Sequence, residues 1–103
     1  MASSDGAAAG RGVMTLAPLD NVAIALRPLR AGEQVALGAA TLTVERDVAV
    51  GHKIAARAIA AGETIVKYNC PIGKAVRAIA PGEYVHTHNV ASSYLPTYTL
   101  PAA

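Results

Sequence analysis

The chain has 103 residues, of which 52% are hydrophobic and 16% are charged, and its formal net charge is +2. This length accommodates a single domain, and the composition excludes a disordered, solvated chain. The small charge argues against nucleic-acid binding, and the lone cysteine excludes a disulfide framework and an all-cysteine metal site. Since no segment is typical of a membrane span or a signal peptide, we expect a cytoplasmic protein with no membrane partner.

The two ends of the chain differ in composition from the body between them. Residues 1–12 are small, Gly-rich and without periodicity, which predicts a disordered leader. Residues 91–103 hold two prolines, two tyrosines and no charged side chain. This composition predicts an extended tail that packs on a partner or on the chain itself. The folded body is therefore expected over residues 13–90.

A seven-residue motif, Arg-x-[Leu/Ile]-x-[Ala/Pro]-Gly-Glu, occurs three times in the body, at 27–33, 57–63 and 77–83. The glycines are 30 and then 20 residues apart, and this unequal spacing argues against a stacked solenoid. We interpret each copy as the same turn, in which a strand ends at the arginine and the glycine adopts a positive φ. The next strand begins at or after the glutamate, which is expected to serve the turn or to pair with its arginine. One aliphatic residue of each copy is predicted to enter the core, namely Leu29, Ile59 or Ile79.

Short strands are favoured between these turns. Apolar residues alternate with smaller or polar ones at 22–27, and residues 63–67 and 84–88 have the same period of two. Residues 50–61 are rich in alanine and would suit a helix by propensity, but their glycines favour strand and turn, with a short helical turn at 56–61. The sequence therefore predicts a small, irregular, mostly β domain of short strands with short helical turns.

The chain has three histidines, and two of them, His86 and His88, lie two residues apart. On a strand they point to the same side as Tyr84, so that both imidazoles can converge on a metal ion or on an anionic substrate group. A surface strand with two solvated histidines is the plainer alternative, and the spacing alone does not decide between them. Asn89 adds an amide beside the pair.

Two further polar segments carry candidate site residues. His52 and Lys53 follow a glycine and offer a titratable base and a fixed cation, although neighbouring strand residues face opposite ways unless the strand bends. The plainer alternative for them is a turn glycine with two exposed polar residues. The proline and glycine in 67–74 predict a loop, in which Lys67 could bind a carboxylate and Lys74 is interpreted as solvated. Cys70 is interpreted as incidental, since no other Cys or His is near it in the sequence.

Three blocks of sequence occur in order along 51–89: Gly-His-Lys-Ile, then Lys-Tyr-Asn-Cys-Pro-Ile-Gly, then Val-His-Thr-His-Asn. Together they resemble the amino-terminal domain of the altronate and galactarate dehydratases. Residues 19–25 look like the first strand of the same domain, so that the resemblance covers about residues 16–90. Asn69 stands where that family usually has glycine, and both residues allow a left-handed backbone.

The resemblance implies a SAF-type β-clip fold and a role as the small subunit of a hydroxy-acid lyase. The substrate would be a sugar acid, as in altronate- or galactarate-type dehydratases, or a sulfo-acid, as in sulfolactate sulfo-lyases. The long catalytic portion of the fused enzymes does not follow, so a larger dehydratase subunit is the expected partner, with a homo-oligomer left open. The family's elimination chemistry usually involves a divalent metal, which implies iron, with manganese as the alternative, shared with the large subunit.

Roles follow for the candidate residues from this resemblance. His86 and His88 are placed on the metal or substrate, and His52 is the candidate for proton transfer with Lys53 beside it. The residues expected to bind substrate are Lys67, Tyr68 and Asn89. The alternative function is a non-catalytic stand-alone SAF module that binds a sugar acid or a protein partner.

Overall fold

The computed structural model describes residues 11–91, in which all regular structure is β. Nine short strands form three antiparallel sheets, ordered β1-β2-β5-β8, β3-β4 and β6-β7-β9. The strands are β1 (Val13–Met14), β2 (Val22–Ala25), β3 (Gln34–Leu37), β4 (Ala40–Thr43), β5 (Lys53–Ala55), β6 (Thr64–Lys67), β7 (Cys70–Ala75), β8 (Tyr84–Val85) and β9 (Val90–Ala91). The predicted mostly β class is confirmed, and none of the described residues belongs to a helix long and apolar enough to cross a membrane.

The predicted leader and tail fall almost entirely outside the described residues. The structure places Gly12, counted in the leader, against the body, where it is buried and its carbonyl accepts a hydrogen bond of 2.7 Å from the N–H of Leu26. Ala91, counted in the tail, belongs to β9. Residues 1–10 and 92–103 are not described.

The four-stranded sheet lies between two hydrophobic cores. Successive residues of β5, Ile54 and Ala55, are both fully buried but belong to different cores, because neighbouring strand residues face opposite sides of a sheet. The same holds for Val22 and Ala23 in β2. The alanines of β2, which occupy the less hydrophobic positions of the alternating pattern at 22–27, are therefore buried as well. A small aliphatic core suits this arrangement, since both faces of a short sheet must be covered at close range.

The three motif copies form the turns that their sequence predicts. Their aliphatic residues are at most 2% exposed, and their glycines have φ between 83° and 84°. In each copy the arginine Nη2 donates to the glutamate Oε2, and the glutamate Oε1 accepts a backbone N–H three residues back. The preceding strands end two residues before the arginine and not at it, since the carbonyl and N–H of their last residues bond to a neighbouring turn.

A fourth turn of the same backbone form, at 46–52, was not predicted. Its glycine, Gly51, has φ 86°, and the N–H of its last residue, His52, donates to Ala49 as the glutamates do in the other copies. In chain order the copies are turn 1 (27–33), turn 2 (46–52), turn 3 (57–63) and turn 4 (77–83). Turn 1 pairs with turn 2 and turn 3 with turn 4, each through an antiparallel bridge between their buried aliphatic residues. The motif does not include turn 2 because valine stands at its third and fifth positions and histidine replaces the final glutamate.

Three local predictions were wrong. No helical turn occurs at 56–61, since Ile59 bonds by its backbone to Ile79 of turn 4. Residues 70–75 form strand β7 and not a loop, because a bulge in the β6–β7 register accommodates Pro71 and only residues 68 and 69 turn the chain. The strand predicted at 84–88 ends at Val85, and residues 86–89 form a tight turn.

Candidate functional site

The three histidines of the chain surround one tyrosine, and we call His52, Tyr84, His86 and His88 the histidine–tyrosine cluster. The Nδ1 atom of His52 lies 2.6 Å from the hydroxyl oxygen of Tyr84. The ring of Tyr84 stacks against all three imidazoles, with centroid distances of 5.5 to 5.8 Å. The imidazoles of His52 and His86 are themselves 5.9 Å apart. Residues separated by more than thirty positions in sequence are thus brought to one place.

The sheet positions two members of this cluster. Tyr84 in β8 is directly opposite Ile54 in β5, and His52 lies two residues before Ile54, on the same face of the strand. Tyr84 is half-buried and packs against the core that contains Ile54, here called the first core, which fixes its ring. His52 is the last residue of turn 2, and this turn sets its backbone conformation. Its carbonyl accepts a hydrogen bond of 2.8 Å from the N–H of Ala25.

A buried asparagine positions the other two histidines. Asn89 is 0% exposed, its Oδ1 accepts the N–H of His86 at 2.9 Å, and its Nδ2 donates to the carbonyl of Tyr84 at 2.7 Å. These bonds replace those of a continuing strand and curl 86–89 into a turn. His86 and His88 therefore share a side with Tyr84 through this turn and not through strand periodicity. Direct contact of Asn89 with substrate stays a prediction, and the bonds of its side chain position the turn.

Lys53 faces the opposite side of β5 from His52. It lines a concave pocket of about 220 Å³, with Ile72, Val85, His86, Thr87 and Val90 as the other lining residues. Burial and, secondarily, the charge of Lys67 lower the pKa of Lys53 below its usual value of 10.5. The two residues of the predicted His52–Lys53 pair are thus separated by the strand, and His86 borders both the cluster and this pocket.

The hairpin between β6 and β7 carries the remaining candidates. Lys67 ends β6 and is half-buried, whereas Tyr68 follows it with a positive φ and is 68% exposed. Asn69 fixes the hairpin tip, since its N–H donates to Asp20 at 2.8 Å and its side chain accepts the N–H of Leu19. The free cysteine beside this tip is exposed.

Sequence reasoning missed Arg46. Its guanidinium carbon lies 5.2 Å from the centroid of the Tyr84 ring, within the range of a cation–π interaction. The available signal was the spacing Arg46-x-Val48-x-x-Gly51, which keeps the arginine, an aliphatic third residue and the glycine of the turn motif. The third, fifth and last residues of this turn differ from those of the three sister copies.

The cluster has the groups needed to move a proton and to hold an anion. When the Tyr84 hydroxyl donates to Nδ1 of His52, the Nε2 of that ring carries a proton, and in the other tautomer Nε2 can accept one. Two cations are close by: Arg46 lies over the Tyr84 ring, and Lys53 lies on the opposite side of strand β5. Within residues 11–91, no three side chains of His, Cys, Asp or Glu lie together as a metal site.

The sequence profile of the altronate/galactarate dehydratase SAF domain matches residues 11–93. The chain belongs to this family. This SAF domain is 47% identical to altronate dehydratase of Escherichia coli over 75 residues, and 40% identical to altronate dehydratase of Bacillus subtilis over 74 residues. Those matches cover 73% and 72% of the domain's chain but only 15% of each dehydratase.

A second kind of relative is a separate subunit. The SAF domain is 48% identical over 48 residues to the alpha subunit of (2R)-sulfolactate sulfo-lyase of Paracoccus pantotrophus. That match covers 47% of the chain and 72% of the subunit. The predicted relation to both kinds of enzyme is therefore confirmed.

Proposed function

We propose that this SAF domain is the small subunit of a hydroxy-acid lyase and completes an active site with a larger subunit. The observation that carries the proposal is the hydrogen bond of 2.6 Å between His52 and Tyr84 at the centre of a three-histidine cluster. A domain that served only as a scaffold would not require such a cluster. The occurrence of a relative named as an alpha subunit supports a second chain as partner.

The chemistry is elimination from a sugar acid of the aldonic or aldaric type, with a sulfo-acid as the alternative. A base removes the proton from the carbon beside the carboxylate, the hydroxyl or sulfite leaves from the next carbon, and the enol product tautomerises to a 2-oxo acid. The proton abstraction needs a base of suitable pKa, and the enediolate needs nearby positive charge. We assign the base to His52, oriented by Tyr84. The charge is assigned to Lys53, with Lys67 near it, acting from the pocket on the other face of β5 that His86 also borders.

A divalent metal, iron or alternatively manganese, belongs to the proposal as a group shared with the larger subunit. The imidazoles of His86 and His88 are suitable donors for either ion, but two nitrogens do not make a complete site. The remaining ligands would come from the larger subunit. Such an ion would act as a Lewis acid toward the leaving group.

Co-purification tests the partner directly. The tagged chain is expressed in its native host and captured, and the proteins retained with it are identified by mass spectrometry. We expect a much larger dehydratase-like chain in stoichiometric amount. The captured material is then supplied with altronate, galactarate or sulfolactate, and formation of the 2-oxo acid is followed.

Recovery of the chain alone, repeatedly and at low salt, together with no elimination activity, would contradict the subunit proposal. It would favour the non-catalytic module that binds a sugar acid or another protein. A rise in melting temperature with a sugar acid and a divalent ion, in the absence of any larger chain, would then identify the binding partner as the sugar acid.

A further inference from the structure

Turn 2 has the backbone of its three sister turns but a different pair of side chains. Its arginine, Arg46, occupies the first position, as in the other turns, and its last residue is His52. In turns 1, 3 and 4 the last residue is a glutamate that bonds to the arginine of the same turn at 2.5 Å. The glutamates of the sister turns therefore show where a carboxylate can bind an arginine at the first position of this turn.

Arg46 meets no carboxylate from its own turn. Residue 52 is a histidine whose Nδ1 contacts the Tyr84 hydroxyl, and the Oδ1 of Asp47 accepts the backbone N–H of Ala31. Among the described residues, the carboxylate within 4 Å of the guanidinium is that of Glu45, whose Oε1 is 3.7 Å from Nε. That distance is longer than a hydrogen bond. The same oxygen accepts the backbone N–H of Tyr84 at 3.1 Å, so the contact leaves the arginine donors largely free.

The location of Arg46 joins it to the histidine–tyrosine cluster. Its guanidinium carbon is 5.2 Å from the centre of the Tyr84 ring, on which the three imidazoles also stack. The side chain is 54% exposed, so that a ligand in the cluster can reach it. In the sister turns the arginine Nη2 donates to one carboxylate oxygen, while the other oxygen accepts a backbone N–H, and such charge-assisted bonds are strong.

We propose that Arg46 binds the carboxylate of the hydroxy acid, in the geometry in which the sister arginines bind their own glutamates. This inference rests on the proposed function for the identity of the ligand. In turn 2 the exchange of glutamate for histidine has two effects: it supplies the imidazole and it releases the arginine for substrate. A structural turn is thereby converted into a binding turn.

Binding of glycerate, the smallest 2,3-dihydroxy acid, tests the assignment without any turnover. The full chain is titrated while the Tyr84 ring and backbone amide resonances are followed by NMR. We expect saturable shifts in the wild type, a Kd about tenfold or more higher in Arg46→Met, and no shifts with the uncharged methyl ester. Arg57→Met, which removes the matching arginine of turn 3, should leave the Kd unchanged.

A second pair of variants tests whether a carboxylate at position 52 competes with glycerate for Arg46. His52→Glu restores the residue of the sister turns, so that the new carboxylate is expected to pair with Arg46, weaken glycerate binding at least tenfold and keep or raise the melting temperature. His52→Gln has no charge to pair and should change the Kd by less than about threefold. The contrast separates occupation of Arg46 from simple loss of the imidazole.

Three results would overturn the assignment: no saturable shift in the wild type, equal affinity in Arg46→Met, or equal affinities in the two His52 variants. Failure of the proposed function has a different signature. In that case glycerate binds through Arg46 as expected, but neither the chain nor material captured with it converts any hydroxy acid.

Discussion

The contact between His52 and Tyr84 joins the end of turn 2 to strand β8 through their side chains. The tyrosine is half-buried and fixed by the first core, whereas the histidine is exposed, so the hydroxyl orients the imidazole and not the reverse. A hydrogen bond to one ring nitrogen holds the imidazole in place, and the role of that nitrogen as donor or acceptor decides whether the other nitrogen is protonated. The orientation of His52 is therefore set by a residue that comes thirty-two positions later in the chain.

Tyr84→Phe should slow turnover and leave the fold intact. The ring and its stacking remain, but the bond to Nδ1 is lost, so His52 is no longer held in one orientation. We expect kcat to fall about tenfold to a hundredfold with KM nearly unchanged, a part of the range typical of acid–base catalysis. Steady-state kinetics of the assembled enzyme measure this effect. A kcat equal to that of the wild type would exclude Tyr84 as a positioning residue.

The charged side chain of Lys53 is expected to lower the free energy of unfolding of the domain at neutral pH. Its pKa is lowered by burial and by Lys67, so the charged form is less favourable in the folded than in the unfolded chain. Stability should thus rise as the pH increases through the folded pKa towards 10.5. We expect Lys53→Met to raise the melting temperature at pH 7 by a few degrees and to lower elimination activity.

Lys74→Met is the control for this prediction, since Lys74 is exposed on β7. It should alter neither the melting temperature nor the activity. A melting temperature that falls in Lys53→Met would show that the aliphatic part of this lysine, and not its charge, dominates.

The residue types of the site could be predicted from the sequence, but their arrangement could not. His52, His86 and His88 were chosen by type and spacing, and they do meet. The means by which they meet, a tyrosine between them and a buried asparagine below, depends on strand register and on a turn that a period of two does not reveal. Arg46 was missed because its role depends on the absence of a glutamate at the last position of its turn.

The turns are the element on which the fold depends. Each combines a left-handed glycine, a buried aliphatic residue and, in three of four copies, an ion pair between its ends. Pairing of the turns brings together segments that are twenty residues apart in the sequence, as the Ile59–Ile79 bridge does. The glycines are not equivalent, however, since their surroundings differ.

Gly82→Ala should be far more damaging than Gly62→Ala. Both glycines have a positive φ, but a Cβ on Gly82 would lie 2.0 Å from the carbonyl oxygen of Thr43, whereas Gly62 has nothing within 4 Å. Gly62→Ala is expected to lower the free energy of unfolding by about 1 to 2 kcal/mol, the cost of a left-handed alanine. Gly82→Ala adds a backbone clash and should lower it by several kcal/mol more.

Denaturant unfolding of both variants measures the difference. If Gly82→Ala yields no folded protein, that result agrees with the prediction provided that Gly62→Ala folds. Equal losses in the two variants would contradict the close approach of turn 4 to β4.

At the level of elements the sequence was most informative where local chemistry determines the backbone. The motif predicted three turns and their core residues correctly, because arginine, glycine and glutamate act within seven residues. It failed where distant contacts override local preference. The alanine-rich stretch at 56–61 forms most of turn 3 instead of a helix because Ile59 bonds to turn 4, and Pro71 is accommodated in a strand by a bulge.

Residues 11–91 form two small cores that share one sheet, and acid should lower the stability of this domain. Hydrogen bonds from Arg27 and Arg57 lower the pKa values of Glu33 and Glu63 from 4.5. Burial alone would raise the pKa of Glu83, but hydrogen bonds from Ala80 and its own arginine outweigh it, and the net direction is again downward. The folded chain then binds fewer protons than the unfolded chain near pH 4.

Stability from these three glutamates should be fully present above about pH 5 and be lost as the pH falls through 4.5 towards their folded pKa values. The melting temperature measured between about pH 7 and pH 3 tests this prediction. The double variant Glu33→Gln/Glu63→Gln should show a weaker dependence on pH over the same range. A melting temperature that stays constant down to pH 3 would exclude these ion pairs as contributors.

The central claim is that the histidine–tyrosine cluster takes part in elimination, and one rate tests it most directly. The turnover of the captured enzyme with its hydroxy acid is measured for His86→Ala and for Arg57→Met, whose arginine lies in turn 3, outside the cluster. We expect His86→Ala to reduce kcat at least a hundredfold, as the loss of a catalytic or ligand group does, while Arg57→Met retains it. Unchanged turnover in His86→Ala would contradict the claim.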